Sequence, residues 1–331
     1  MRRFDYARTS RAGEAVDLVA GEPAGAFVAG GTDLLNLMKD GAEAHDLVVD
    51  INDLPLADVE VAGDAGRERL RIGALARLAD VAAHPRVSRE LPVLAQALLA
   101  TASPQVRNMA TVGGNLLQRT RCWYFRDPGF ACNKREPGSG CPARDGQNRW
   151  HAILGGSDHC IAVHPSDLAV ALRALDATVH TLGPRGRRAI PIGDLHREPG
   201  SAPERETALR HGELITAVEV PLPRRGTRSG YLKVRDRATF EFAVVSIAAV
   251  LRGEGRMVRD IALAFGGIAT RPWRSAEAED ALRGRRLTDE TVAAAGRALV
   301  ADARPRAHNA FKVELVQRAL HELIGTLGDG R

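Results

Sequence analysis

Four cysteines, Cys122, Cys132, Cys141 and Cys160, are the only ones in the chain, and all fall in one stretch crowded with Gly, Pro and Arg. Cysteine used as a small hydrophobe is scattered through cores, so this gathering points to thiolates converging on one centre. The intervals of nine, eight and eighteen residues contain none of the close C-x-x-C pairs of structural zinc sites. Well-separated thiolates on a wrapping loop suit a [4Fe–4S] cluster, which takes ligands from several directions. A zinc ion, two disulfides and unligated thiols are the alternatives. Trp123, Tyr124 and Phe125, beside Cys122, are expected to shield such a centre from water. His159 and His164 are possible further ligands, but four cysteines already complete a site, and satisfied surface or core histidines are the simpler reading.

Two glycine pairs flank this stretch. Ala29-Gly30-Gly31-Thr32-Asp33-Leu34 follows the apolar run Gly25-Ala26-Phe27-Val28 and precedes a helical pattern. Adjacent glycines let backbone approach a ligand closely, and their N–H groups can cradle a phosphate. A carboxylate would repel phosphate, so Asp33 is expected to cap the helix or meet a hydroxyl. Asn108-Met109-Ala110-Thr111-Val112-Gly113-Gly114-Asn115 is the second pair. Either could be a plain turn; two together suggest a ligand with two phosphates. The chain has no G-x-G-x-x-G after a strand and no Walker-type loop. Taken singly, Asp167 reads as a helix cap and Lys233 as a solvated edge-strand charge.

The elements that must position these residues follow from periodicity. Strands are expected at 25–29, 47–51, 69–74, 160–163, 178–182 and 213–221. Helices are expected at 15–20, 34–39, from about 78, at 91–101, and from Ser166 or Asp167 through 175. Residues 119–158 carry no sustained period, and a loop this long in a compact domain is functional or internally stapled. The segment PLPRRGTRSG (221–230) reads as a domain linker. Beyond it, three strand-like runs precede helical stretches beginning near Ala276, Asp289 and Phe311, an α+β module.

At 331 residues, 44% hydrophobic and 26% charged, the chain has an ordinary globular composition with room for two or three domains. No apolar run reaches the ~18 residues of a membrane span. The net charge of +5 is spread along the chain and aromatics are only 4%, which argues against a nucleic-acid partner. The first residues do not read as a secretory signal. A cytoplasmic location is expected, or a periplasmic one if a partner carries a twin-arginine signal.

In this order and spacing, AGGTDL, ATVGGNL, HPSDLAVAL, ELITAVEVP and YLKVRDR resemble the FAD-binding medium subunit of the xanthine dehydrogenase and aldehyde oxidase family of molybdenum hydroxylases. The resemblance covers nearly the whole chain. It implies an α+β fold: a two-lobed FAD-binding domain of the vanillyl-alcohol oxidase type over 1–223, then a C-terminal domain of the carbon monoxide dehydrogenase flavoprotein type over 228–331. It implies that Ala26, Phe27, Val28, Ala29, Gly30, Gly31, Thr32, Asp33 and Leu34, with Asn108, Thr111, Gly113, Gly114 and Asn115, hold FAD. Asp167 would bond the ribityl or adenosine side, Ile215 would pack near the isoalloxazine, and Lys233 would lie at its polar edge. Most members lack the cysteine insertion, about 119–160. Those that have it, periplasmic-type aldehyde oxidoreductases and 4-hydroxybenzoyl-CoA reductase, carry a [4Fe–4S] cluster there, and the wording of this loop is closer to the former. The implied partners are a large molybdenum subunit, a small [2Fe–2S] subunit and an external electron acceptor. The rival readings are the reductase subunit, a zinc-stapled binding module without flavin, and a stand-alone flavin oxidase.

Overall fold

A computed structural model of the chain describes residues 1–64 and 68–329; the last two residues of the expected C-terminal unit lie outside them. The first lobe is a parallel sheet of β1 (Asp5–Arg8), β2 (Gly25–Val28) and β3 (Leu47–Asp50) in the order β1-β3-β2. Helices α1 (Ala12–Gly21) and α2 (Leu34–Asp40) make the crossovers that parallel pairing requires. Ala15, Val16 and Val19 of α1 are buried against Val49 and Ile51.

The second lobe is an antiparallel sheet of β4 (Val59–Ala62), β5 (Arg69–Gly73), β6 (Thr178–Gly183), β7 (Gly186–Pro191) and β8 (Leu214–Pro221), ordered β4-β5-β8-β6-β7. Its core is shared with helices α3 (Leu78–Ala83), α4 (Pro85–Glu90) and α5 (Pro92–Ala100). Two short helices follow, α6 (Pro104–Arg107) and α7 (Val112–Leu116); within the cysteine stretch only α8 (Trp123–Arg126) and a 3₁₀ turn at Pro142–Arg144 are regular. Residues 160–163 do not form the expected strand. The Ile161 carbonyl accepts from Ala152 N, and Ala162 N–H turns onto Cys160 Sγ, so the segment bonds locally instead of joining a ladder. Helix α9 (Asp167–Ala174) is almost wholly buried, and α10 (Ile192–Leu195) closes the lobe.

The linker is shorter than expected. Residues 227–230 open β9 (Thr227–Val234), the edge of an antiparallel sheet with β10 (Val245–Glu254), β11 (Met257–Gly266) and the two-residue β12 (Trp273–Arg274) in the order β12-β11-β10-β9. Both faces of β10 are covered, which explains its continuous apolar run. Ile247, Ala249 and Leu251 pack toward α11 (Ala276–Asp280), α12 (Asp289–Leu299) and α13 (Phe311–Gly328). On the opposite face Ala248 pairs with Ala264, and both join the core of the second lobe. Two small side chains in register let α9 approach the sheet closely, which places Asp167, at the start of α9, at the junction of the two units.

Candidate functional site: a glycine-walled pocket beside a cysteine cage

The turn from β2 to α2 lies on the segment that precedes α7. A Cβ on Gly30 would stand 2.0 Å from the Met109 carbonyl oxygen, and Gly31 has φ +68°, so neither position accepts a side chain. Among the described residues no protein acceptor meets the amides of Gly30, Gly31 or Thr32. The second glycine pair differs. Gly113 N donates to the Ala74 carbonyl at 2.8 Å, and Gly114 N to Thr111 Oγ1 at 3.2 Å. These amides are spent inside the protein, so the first turn offers N–H groups, while the second offers close-packed shape and side chains.

Together the turns wall a cavity of about 530 Å³, within the range of cofactor sites. Every expected binding residue from Phe27 to Leu34 lines it, as do Thr111, Gly113, Gly114, Asn115, Asp167, Ile215 and Lys233; Ala26 and Asn108 do not. Asn115 is buried and its Oδ1 accepts from Ser166 Oγ at 2.6 Å, while that hydroxyl oxygen caps α9 by accepting from Ala169 N. Asp167 is therefore not the cap. Its carboxylate accepts from Lys233 Nζ at 2.7 Å, Tyr231 Oη at 2.6 Å and Thr101 Oγ1 at 3.2 Å. Burial and the adjacent Asp167 charge push the Tyr231 phenol well above its ordinary pKa. Lys233 is not a solvated charge either: its side chain is 3% exposed, and it also donates to the Ala100 carbonyl. One of its three N–H donors is left at the cavity wall.

Asp33 neither caps α2 nor stands free. Its carboxylate accepts from Arg119 N at 2.7 Å, Arg121 Nη1 at 2.5 Å and Arg126 Nη2 at 2.7 Å. The residue after the glycine turn is thus pinned to the arginines around Cys122. Arg119 also binds Glu43 and, at 2.5 Å, Glu206. Burial opposes ionisation of Glu43, but His45 and Arg119 outweigh it and hold its pKa to about 2. These arginines were invisible to sequence reading because nothing in their spacing pairs them with residue 33.

The four cysteines line one cavity with Phe125, Ala143 and Ala162, and all are free thiols. Burial pushes Cys122 up to about 12 and Cys160 to about 11, and raises Cys141; the facing sulfurs add to this for each. Such thiols keep their protons near neutral pH and are poor nucleophiles; a bound cationic centre is what would convert them to thiolates. Tyr124 and Phe125 cover the cavity as expected, but Trp123 does not line it and is 38% exposed. The loop is ordered by side chains bonding to backbone. Asn133 Oδ1 accepts from Gly140 N and its Nδ2 donates to the His159 carbonyl; Arg135 Nη1 donates to the carbonyls of Tyr124 and Phe125; Asn148 Nδ2 donates to those of Ala143, Arg144 and Gly146. His159 lines the cysteine cavity and His164 a neighbouring one, neither with a ring nitrogen at hydrogen-bond distance from a sulfur; His164 packs against His196 with ring centroids 4.1 Å apart. The histidine that does meet a sulfur is His151, with Nε2 3.2 Å from Cys122 Sγ. Burial and the Lys312 charge lower its pKa to about 4, leaving the ring neutral.

Residues 2–223 match the family described as FAD binding domain in molybdopterin dehydrogenase, and residues 230–327 the CO dehydrogenase flavoprotein C-terminal domain. The chain belongs to the FAD-binding subunits of the molybdenum hydroxylase family, and its cofactor is FAD. It is 48% identical over 328 residues to the aldehyde oxidoreductase FAD-binding subunit PaoB of Escherichia coli, covering 98% of each chain. It is 29% identical to the carbon monoxide dehydrogenase medium chain of Hydrogenophaga pseudoflava, over 92% of this chain and 88% of that one. A solved structure of carbon monoxide dehydrogenase from that organism superposes with a TM-score of 0.76 at 26% identity, over 98% of this chain and 96% of the other. Among the described residues no helix is long and apolar enough to cross a membrane.

Proposed function

We propose that the chain is the FAD- and [4Fe–4S]-containing electron-transfer subunit of a molybdenum-dependent aldehyde oxidoreductase. It would work beside a large molybdenum subunit and a small [2Fe–2S] subunit and deliver electrons to an external acceptor. The flavin, when bound, supplies the exchange between one-electron and two-electron carriers. The chain's own residues bind and orient it. The free amides of Gly30, Gly31 and Thr32 would take the pyrophosphate, the Thr111–Asn115 turn would fit against the ribityl, and Ile215 and Lys233 would meet the ring system from its apolar and polar sides. Asp167 holds Lys233 aimed, and Phe240 and Phe242 line the cavity and would limit water.

The observation that carries the cluster is the convergence of four free cysteines on one cavity, pinned through Asp33 to the flavin turn. The intervals of nine, eight and eighteen residues between the cysteines contain no close C-x-x-C pair of the kind structural zinc sites use, which favours a larger inorganic core over zinc. The 48% identity to an aldehyde oxidoreductase subunit favours aldehydes as the substrate of the complex.

Anaerobic purification with flavin and iron quantitation tests the reading. The expected result is equimolar FAD with iron at cubane stoichiometry, and aldehyde-driven bleaching of the flavin in the assembled complex. Cys132→Ser is expected to abolish the iron–sulfur absorption while FAD remains. A colourless protein containing zinc would sink the proposal.

A further inference from the structure

His151 belongs neither to the four cysteines nor to the flavin pocket, yet its ring lies against a cysteine sulfur. Nε2 is 3.2 Å from Cys122 Sγ, and the residue is 3% exposed. Its placement is not left to the loop. The main-chain N–H donates to the Asn148 carbonyl at 2.9 Å, and its own carbonyl accepts from Asn309 Nδ2 at 3.2 Å and Lys312 Nζ at 3.0 Å. Lys312 stands 161 residues further along the chain, is completely buried, and is fixed by a second bond to the Gly267 carbonyl at 2.6 Å. Trp123 and Tyr124 flank the imidazole with ring centroids 6.3 Å away. The C-terminal domain therefore reaches across to hold one imidazole against one sulfur.

The direction of the contact depends on what the sulfur carries. A free thiol can give its proton to Nε2. A sulfur bound to iron has no proton to give, so the contact survives ligation only as N–H···S, with the ring donating from Nε2. A donor at a ligand sulfur favours the more negatively charged state of a cluster, because hydrogen bonds to charged acceptors are the strong ones. The Ala162 N–H approaches Cys160 Sγ at 3.4 Å, but it is a main-chain donor on a longer contact. His151 supplies its donor from a side chain.

We propose that His151 is a positioning residue that donates a hydrogen bond to Cys122 and thereby holds up the reduction potential of the cluster. The inference rests on the [4Fe–4S] reading above. Its test is a potentiometric titration of the holoenzyme and of His151→Leu and His151→Gln variants, followed by electron paramagnetic resonance. In the Leu variant the reduction equilibrium is expected to move about tenfold toward the oxidised cluster, a fall of about 59 mV for a one-electron couple. Iron content and the flavin potential are expected to stay unchanged. Gln retains an N–H donor and is expected to recover most of the shift. An unchanged cluster potential in the Leu variant with full iron would overturn the inference. If the Leu variant loses its cluster, the unmodified enzyme decides: with ¹⁵N-labelled histidine, the reduced cluster should show coupling to one histidine nitrogen, and its absence rejects the role. Wild-type enzyme without iron would instead defeat the cluster reading, before any variant is compared.

Discussion

The glycine-walled pocket proposed to hold the flavin and the cysteine cage sit side by side but are built by opposite means. The pocket is made of main chain at the ends of regular elements: a strand, two glycines and a helix, with amides left free because no side chain intervenes. The cage is made of side chains on irregular backbone, where Asn133, Arg135 and Asn148 do the bonding that a ladder or a helix does elsewhere. The first design depends on the absence of atoms, and the second on the presence of particular ones. Asp33 is the joint between them.

That contrast can be broken at three places. The largest effect is expected at Gly30→Ala, where the new Cβ would be forced to within 2.0 Å of the Met109 oxygen, a backbone atom that cannot swing aside. The cost exceeds about 3 kcal/mol of overpacking. Flavin content is expected to fall more than tenfold, while iron, measured on the same sample, should be largely retained. Equal loss of both would show that pocket and cage are not separately built.

Asp33→Asn comes next. It removes the charge facing Arg121 and Arg126, in a site where the carboxylate side chain is 16% exposed. Loss of one partner from a largely buried ion pair costs about 3 kcal/mol. Because the residue touches both regions, thermal denaturation and cofactor analysis should show flavin and iron lost together. Loss of one alone would remove Asp33 as the joint.

The smallest effect is a pH dependence. Glu43 holds Arg119, and its pKa of about 2 in the folded chain is below its usual value of 4.5. A depressed carboxylate stabilises the fold above its unfolded pKa, and that contribution fades as pH falls from about 4.5 toward 2. The contribution is on the order of 2 kcal/mol, allowing for solvent around the pair. Glu43→Gln should flatten acid unfolding in this window and leave stability at higher pH lower but level. An unaltered acid profile would place the pair outside the stabilising network.

The same contrast governs what could be read from sequence. Both glycine turns, the strands and helices around them, and the strands-then-helices unit are local patterns of two or 3.6 residues, and they stand where periodicity puts them. The cysteines were legible by type and by clustering. What escaped was set by long-range contacts. Asp33 read as a cap because its neighbours in sequence offer nothing else, whereas its partners lie near residue 120. Lys233 read as solvated because β9 is an edge strand, but α5 and Asp167 cover it. The expected strand at 160–163 failed because the Ala162 N–H turns onto a sulfur while the Ile161 carbonyl accepts from Ala152. His151 carries no motif at all; only the fold brings it to Cys122.

The grip of the C-terminal domain on the loop also sets an order for making the protein. His308, Asn309 and Lys312 hold the stretch from Asn148 to Ala152, and they leave the ribosome some 160 residues after it. The N-terminal lobes can fold as they emerge, but the cage cannot take its final shape until α13 has been synthesised. A centre held by the four cysteines, as proposed above, would therefore be completed only after α13 has been made, and a truncation that removes Asn309 and Lys312 is expected to leave the cage unclosed.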